Sequence, residues 1–228
     1  MKYKNLVLIG TSHIAPQSLA EVEQQLRETK PKIVALELDR KRLYALLHPA
    51  KKKISLADIR RVGFKGFLFS LLGAWAEKKL GQQVGVSPGA EMLTAYKLAR
   101  EQHATIALID QDIELTLKRI SQALSWREKW NFVVDIVKAV VFRTSVVEFD
   151  LAKVPSERII QKLMREVKKR YPNLYRVLVT ERNEVMAKNL ANLIRYEPNN
   201  PIVAVVGAGH EKELLALVQK YLKQASSA

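Results

Sequence analysis

Apolar residues in this chain follow two spacings. Four short runs are almost unbroken: Leu6-Val-Leu-Ile-Gly10, Ile33-Val-Ala-Leu-Glu-Leu-Asp39, Thr105-Ile-Ala-Leu-Ile-Asp110 and Pro201-Ile-Val-Ala-Val-Val-Gly-Ala-Gly-His210. Runs of this kind read as strands buried on both faces, as in a parallel sheet covered by helices. Between them, apolar side chains recur every three or four positions. Ser18 and Glu21 stand at capping-box spacing and predict a helix with Leu19, Val22 and Leu26 on its inner face, ended by Pro31. Further helices are predicted from Arg40 to about Leu47, from Glu91 to Gln102, over most of 113–174, from about Leu174 to Arg195 and from Glu211 to Leu222. In the third of these regions Trp126 and Trp130 share one face. A helix opened by Pro155-Ser156 turns Ile159, Ile160, Leu163, Met164 and Val167 inward, with Lys162, Arg165, Lys168 and Lys169 outside.

The predicted fold class is therefore α/β: a central, mainly parallel sheet flanked by helices, one domain over residues 1–228 with a helical insertion at 111–171. The opening order of strand, helix, strand places the Leu6 and Ile33 strands as parallel neighbours. A 48% hydrophobic chain of 228 residues is ample for one such core.

Composition narrows the chemistry. Cysteine is absent, so disulfides and thiolate-held metals are excluded, and any metal is bound through His, Asp, Glu or carbonyl oxygen. The Met-Lys-Tyr-Lys-Asn start has no signal-peptide core and predicts a cytoplasmic protein. A net charge of +15 suits an anionic partner. Much of it falls on Lys51, Lys52, Lys53, Arg60, Arg61, Lys65, Lys78 and Lys79, opposed by Asp58 and Glu77. No nucleic-acid module accompanies these cations, which argues against nucleic acid and for a solvated basic face. Within the same segment Gly66 to Trp75 is the most apolar run, about half of the ~20 residues that span a bilayer. It reads either as a buried helix or as a surface resting on an anionic membrane.

Candidate chemistry gathers at strand ends. His13 and His210 each follow a strand in a Gly-x-x-His arrangement, and Glu37 and Asp110 close two other strands. In open α/β sheets the crevice at the carboxyl ends of the strands binds ligands, so these groups can share a site. Two imidazoles and a carboxylate are a usual ligand set for a catalytic divalent metal. Without one, a histidine can act as general base with Glu37 orienting it. Arg42 and Arg182 can hold an oxyanion. Glu181 and Arg182 interrupt the apolar stripe of their helix, as a structural ion pair or as part of the site.

Taken together, Gly10-Thr-Ser-His13, Ser18, Glu37-Leu-Asp-x-x-Arg42, Gly89-x-Glu91, Leu108-Ile-Asp110, Thr116-x-x-Arg119, Glu181-Arg182 and Val205-Val-Gly-Ala-Gly-His210 resemble the TraB domain, or pheromone shutdown family. The resemblance covers nearly the whole chain in order. The wider superfamily includes the metal-dependent, membrane-associated Tiki peptidases and GumN-like, ChaN-like and erythromycin-esterase-like proteins. It implies a hydrolase-like site of His13, Glu37, His210, Glu181 and Arg182, with Asp110, Arg119 and Glu91 in support. Two departures stand out: Asp110-Gln111-Asp112 replaces the usual Asp-Arg-Asp, and the C-terminal membrane helices of many prokaryotic members are not seen.

The expectation is a metal-dependent, peptidase-like hydrolase acting on a peptide or small molecule. Manganese, cobalt or zinc would sit on His13 and His210, with Glu37 as a further ligand or the general base; Arg42 and Arg182 would stabilise negative charge, and Glu181 would fix Arg182. The rival is a non-catalytic peptide- or anion-binding protein, peripheral to a membrane surface. A homo-oligomer is compatible with either.

Overall fold

The computed structural model describes residues 1–11, 16–49, 89–141 and 157–226. His13 lies outside them, as do the basic segment and the Gly66 to Trp75 run. Five strands form one sheet: β1 (Lys2–Tyr3), β2 (Leu6–Thr11), β3 (Ile33–Leu36), β4 (Thr105–Leu108) and β5 (Ile202–Gly207). Their order is β1-β2-β5-β3-β4; β1 forms an antiparallel hairpin with β2, and all other pairs are parallel. The expected mainly parallel α/β sheet is what the chain forms.

One expectation about topology is corrected. β2 and β3 are not neighbours, because β5 enters between them, pairing Thr11 with Gly207 on one side and Leu36 with Val205 on the other. All six residues of β5 are buried. A segment with no polar side chain gains most from the slot where both edges are paired and both faces covered. The consequence is local: the Gly207 to His210 turn leaves the sheet between the ends of β2 and β3.

Alternate residues of each strand feed two layers. On one face Leu6, Leu8, Ala35, Ile202, Ala204 and Val206 pack against α8 (Glu181–Tyr196) and α9 (Glu211–Ser226) through Met186, Leu190, Ile194, Leu214 and Val218. On the other, Ile9, Val34, Leu36, Val203 and Val205 meet Val22 and Leu26 of α1 (Pro16–Thr29) and Met92, Ala95 and Leu98 of α3 (Ala90–Glu101). Helix α2 (Arg40–Leu47) starts at Asp39, whose Oδ1 accepts from the backbone N–H groups of Lys41 and Arg42 at 2.8 and 3.2 Å. Helix α1 already begins at Pro16, so Ser18 is not its cap; it is fully buried inside the helix.

Within 111–171 the described residues form α4 (Ile113–Ala123), α5 (Trp126–Val141) and α6 (Glu157–Arg170). Trp126 and Trp130 face outward, 83% and 69% exposed. The predicted inner stripe of α6 is covered only in part: Leu163 and Val167 are exposed, while Ile160 and Met164 line a cavity described below. What joins this layer to the sheet is a continuous helical rod: α7 (Pro172–Tyr175), a widened π-helical turn over Arg176–Thr180, then α8. The carboxylate of Glu128 on α5 holds the start of the rod, accepting from Asn173 N and Leu174 N at 2.7 and 3.2 Å and from Asn173 Nδ2 at 2.9 Å.

The core makes a direct stability prediction. Leu190 is fully buried between α8 and the sheet. Leu190→Ala is expected to lower unfolding free energy by about 2–5 kcal/mol, from lost transfer energy plus the cavity left behind. Urea unfolding measures it, and a loss below about 1 kcal/mol would contradict this packing.

Candidate functional site

Three strands that end at the crevice, β3, β4 and β5, each deliver one polar group to it. Glu37 directly follows β3, and its N–H still bonds Val205 O at 3.1 Å, so its side chain is held over the end of β5. There Glu37 Oε2 accepts from Gly207 N at 2.6 Å. Asp110 follows β4 and accepts from Gln111 N through Oδ1 at 2.7 Å. His210 ends the turn after β5. All three are buried.

Arg182, reaching in from α8, ties them together. Its Nη2 donates to Glu37 Oε1 and, at 2.6 Å, to Asp110 Oδ2; its Nε reaches both Asp110 oxygens at 3.1 and 3.2 Å. Its Nη1 donates to Leu178 O at 3.1 Å and lies 3.4 Å from His210 Nε2. Leu178 belongs to the widened turn, an irregularity common at functional sites. Arg42 completes the group, with Nη2 on Asp110 Oδ2 at 2.5 Å and Nε on Asp39 Oδ2 at 2.6 Å. Asp39 thus caps a helix with one oxygen and fixes Arg42 with the other.

Burial by itself would push the Glu37 carboxyl up, but the His210 ring in its protonated form, the Arg182 charge and the Gly207 N–H outweigh it and hold the group below its ordinary 4.5. The same competition, won by Arg182 and Arg42, holds Asp110 below 3.8. Arg182 is driven the other way: burial alone would ease its proton off, and the two carboxylates bind that proton more tightly. Three carboxylates (Glu37, Asp39, Asp110) face two guanidinium groups (Arg42, Arg182), which leaves one negative charge beside His210.

The predicted residues divide clearly. Glu37, Asp110, Arg42, Arg182 and His210 meet. Glu181 does not touch Arg182: it binds Arg119 Nε and Nη2 at 2.5 and 2.9 Å and Arg176 Nη1 at 3.2 Å, in an exposed cluster. The expectation that it fixes Arg182 is corrected, because adjacent helix residues point about 100° apart and do not face each other. Arg119 shares that outer cluster. Glu91 is buried in the first turn of α3. Gln111, where the family pattern has arginine, folds back to Thr116 Oγ1 at 2.7 Å.

Two residues went unnoticed in the sequence. Asn183 is fully buried and its Oδ1 stands 2.7 Å from His210 Nδ1; its Nδ2 donates to Glu213 Oε2 at 3.1 Å. Asn183 follows the Glu181-Arg182 anomaly, and Glu213 lies one helical turn past His210, so both had a positional signal. Tyr175 also donates to Glu213 Oε2, at 3.4 Å. Tyr175 and Glu213 line a cavity of about 550 Å³ between α6 and the start of α9, whose walls include Gly10, Gly209 and Met164. A Cβ on Gly10 would stand 2.5 Å from Glu211 Oε2, so glycine there lets that carboxylate lie against the end of β2.

A sequence model of the TraB/PrgY/gumN family matches residues 2–224. The chain belongs to the TraB/PrgY/gumN family. An uncharacterized protein of Methanocaldococcus jannaschii is 34% identical over 221 residues, covering 95% of this chain and 54% of that one. TraB domain-containing proteins of Bos taurus and Homo sapiens are 28% and 26% identical over 228 residues, covering 89% of this chain and 59% and 60% of theirs. The chain thus spans little more than half the length of these TraB relatives. Among its described residues no helix is long and apolar enough to cross a membrane.

The residues present fit a metal ion in part. Glu37 Oε1 and His210 Nε2 are 3.4 Å apart, a spacing two ligands of one tetrahedral ion can take, and the excess negative charge favours a cation. Among the described residues, however, no three His, Asp or Glu groups form a ligand set, and the Arg182 guanidinium already occupies the shared face of Glu37 and Asp110.

The charge network predicts acid sensitivity with a definite sign. Carboxyls lowered in the folded state contribute stability that is fully present above their unfolded values, here 4.5 and 3.8, and lost as pH falls through the lower folded ones. Arg182→Met leaves buried Glu37 without its guanidinium partner and Asp110 with Arg42 alone, and is expected to cost about 3–5 kcal/mol at pH 7. In urea melts that deficit should shrink toward pH 4, where acid neutralises the stranded groups. A deficit of equal size at both pH values would refute the pairing.

Proposed function

We propose that this chain is the hydrolase domain of a metal-dependent, peptidase-like protein, with its reactive centre at Glu37 and His210. The supporting observation is that Glu37, Asp110 and His210, from three different strand ends, meet around one buried guanidinium, while Gly209 and Glu211 on either side of His210 stand in the wall of a cavity. In this reading Glu37 and His210, with His13 as third donor, hold manganese, cobalt or zinc. Such an ion supplies a bound water acidified toward neutrality.

The chain's own groups take distinct parts. A carboxyl held below its ordinary value is a weak proton acceptor at neutral pH, so Glu37 serves as an anionic ligand and not as the general base. Arg182 has its donors committed to Glu37, Asp110 and Leu178 O, and therefore shapes the site instead of meeting substrate. Arg42, with 27% of its side chain exposed against 13% for Arg182, is the cation that can meet a developing oxyanion or a substrate carboxylate. The cavity beside Gly209 would seat the peptide, with Ile160 and Met164 offering an apolar wall.

Calorimetry with manganese, cobalt and zinc tests the ligand set. Binding should weaken at least about tenfold in His210→Ala and in His13→Ala, the loss of one ligand from a small set. Equal affinities in wild type and both variants would remove the metal. Mass spectrometry of a mixed-sequence peptide pool then separates the rival: metal binding with no cleavage in any condition would leave a non-catalytic peptide-binding protein.

A further inference from the structure

His210 has two ring nitrogens, and the reading above, on which this inference builds, needs the lone pair on Nε2, the one that faces Glu37. The wall of the cavity determines which nitrogen carries the proton. Glu213 is a carboxylate and can only accept, so the Asn183 group directed at it must be the donating Nδ2. The amide is rigid, and turning Nδ2 toward Glu213 turns Oδ1 toward His210 Nδ1, 2.7 Å away. An amide oxygen can only accept, so Nδ1 must donate. In the neutral ring that leaves the lone pair on Nε2, 3.4 Å from Glu37 Oε1 and from Arg182 Nη1.

We infer that Asn183 and Glu213 are positioning residues that set the tautomer of His210, with Glu213 acting through Asn183. No group in the chain of contacts is interchangeable. Asn183 is fully buried, so a reversed amide would oppose Nδ2 to a donating Nδ1 and Oδ1 to a carboxylate. Tyr175 donates to the same Glu213 oxygen and reinforces its role as acceptor, but it is not required for the logic. The outer end of the relay, Tyr175 and Glu213, forms part of the cavity wall, which couples the seat of a ligand to the imidazole behind it.

The test reads the proton directly and is independent of turnover. In the chelator-treated 228-residue chain, long-range nitrogen–proton NMR of the four histidines, with His210→Gln to assign the signal, reports which nitrogen is protonated at pH 8. The Nδ1–H form should dominate by at least about tenfold, as a buried hydrogen bond to one tautomer requires. Glu213→Gln keeps the shape but can donate as well as accept, so the amide can turn over and that preference should fall to near parity. Tyr175→Phe, which leaves the Asn183–Glu213 bond intact, should keep it, and an unchanged amide spectrum verifies folding in both. A wild-type ring protonated on Nε2 alone, a doubly protonated ring, or a Glu213→Gln spectrum with the tautomer unaltered would each overturn the assignment. None of these results depends on whether a metal binds or a peptide is cut, so failure here and failure of the hydrolase reading are separable.

Discussion

A guanidinium placed where two buried carboxylates would otherwise repel each other is the constraint on which the rest of this molecule turns. Glu37 and Asp110 share Arg182 Nη2, and that cation, joined at Asp110 by Arg42, offsets the burial of both carboxylates. Removing a charge from water costs several kcal/mol, repaid only by close pairing and by bonds to the remaining lone pairs. Here Gly207 N, Gln111 N and Arg42 provide them. The arrangement joins β3, β4, the turn after β5 and α8, so the elements that make the core are the ones that hold the site. Stability and any chemistry at this crevice are therefore not separable by design: a substitution at Arg182 acts on both.

The insertion of β5 between β2 and β3 gives this cluster its location. Had β2 and β3 paired directly, Gly207 and His210 would have emerged at a sheet edge, away from Glu37. Central placement instead puts the last strand's turn within reach of the β3 end, and it puts Thr11 beside Gly207, with Ala208 N bonded to Thr11 O at 2.8 Å. Segments far apart in sequence are thus neighbours in space, with the end of β2 beside the turn that carries His210.

How much of this could be read beforehand follows from the range of the interactions concerned. The strands were legible because burial on both faces demands unbroken apolar runs, and Glu37, Asp110 and His210 because each ends such a run. Arg182 was legible as a charge on an apolar helical stripe. The order of strands was not, since pairing between β5 and its neighbours is decided by competition among several equally apolar segments over distances of more than a hundred residues. Ser18 misled for a related reason: a serine three residues before a glutamate has capping spacing wherever it occurs, and only the position of Pro16 shows that the helix has already begun. Glu181 was assigned the wrong partner because adjacency in sequence was taken for adjacency in space, which a helix denies.

Asn183 and Glu213 show a different limit. Each is an ordinary residue for its helix, and neither sits at a strand end or breaks a pattern by its charge alone. Their meaning comes from hydrogen-bond bookkeeping: a carboxylate that only accepts, an amide with one donating and one accepting end, and a ring that must conform to both. Such logic becomes visible only once the partners are within hydrogen-bond distance of each other. It also explains why the crevice needs a carboxamide at 183 and not another carboxylate. A second acid there would bring like charge against Glu213 and leave one more negative charge in a cluster that already has one in excess. The amide transmits an orientation without adding charge, and beside Glu37, Asp110 and His210 that neutrality keeps the remaining negative charge available to a cation.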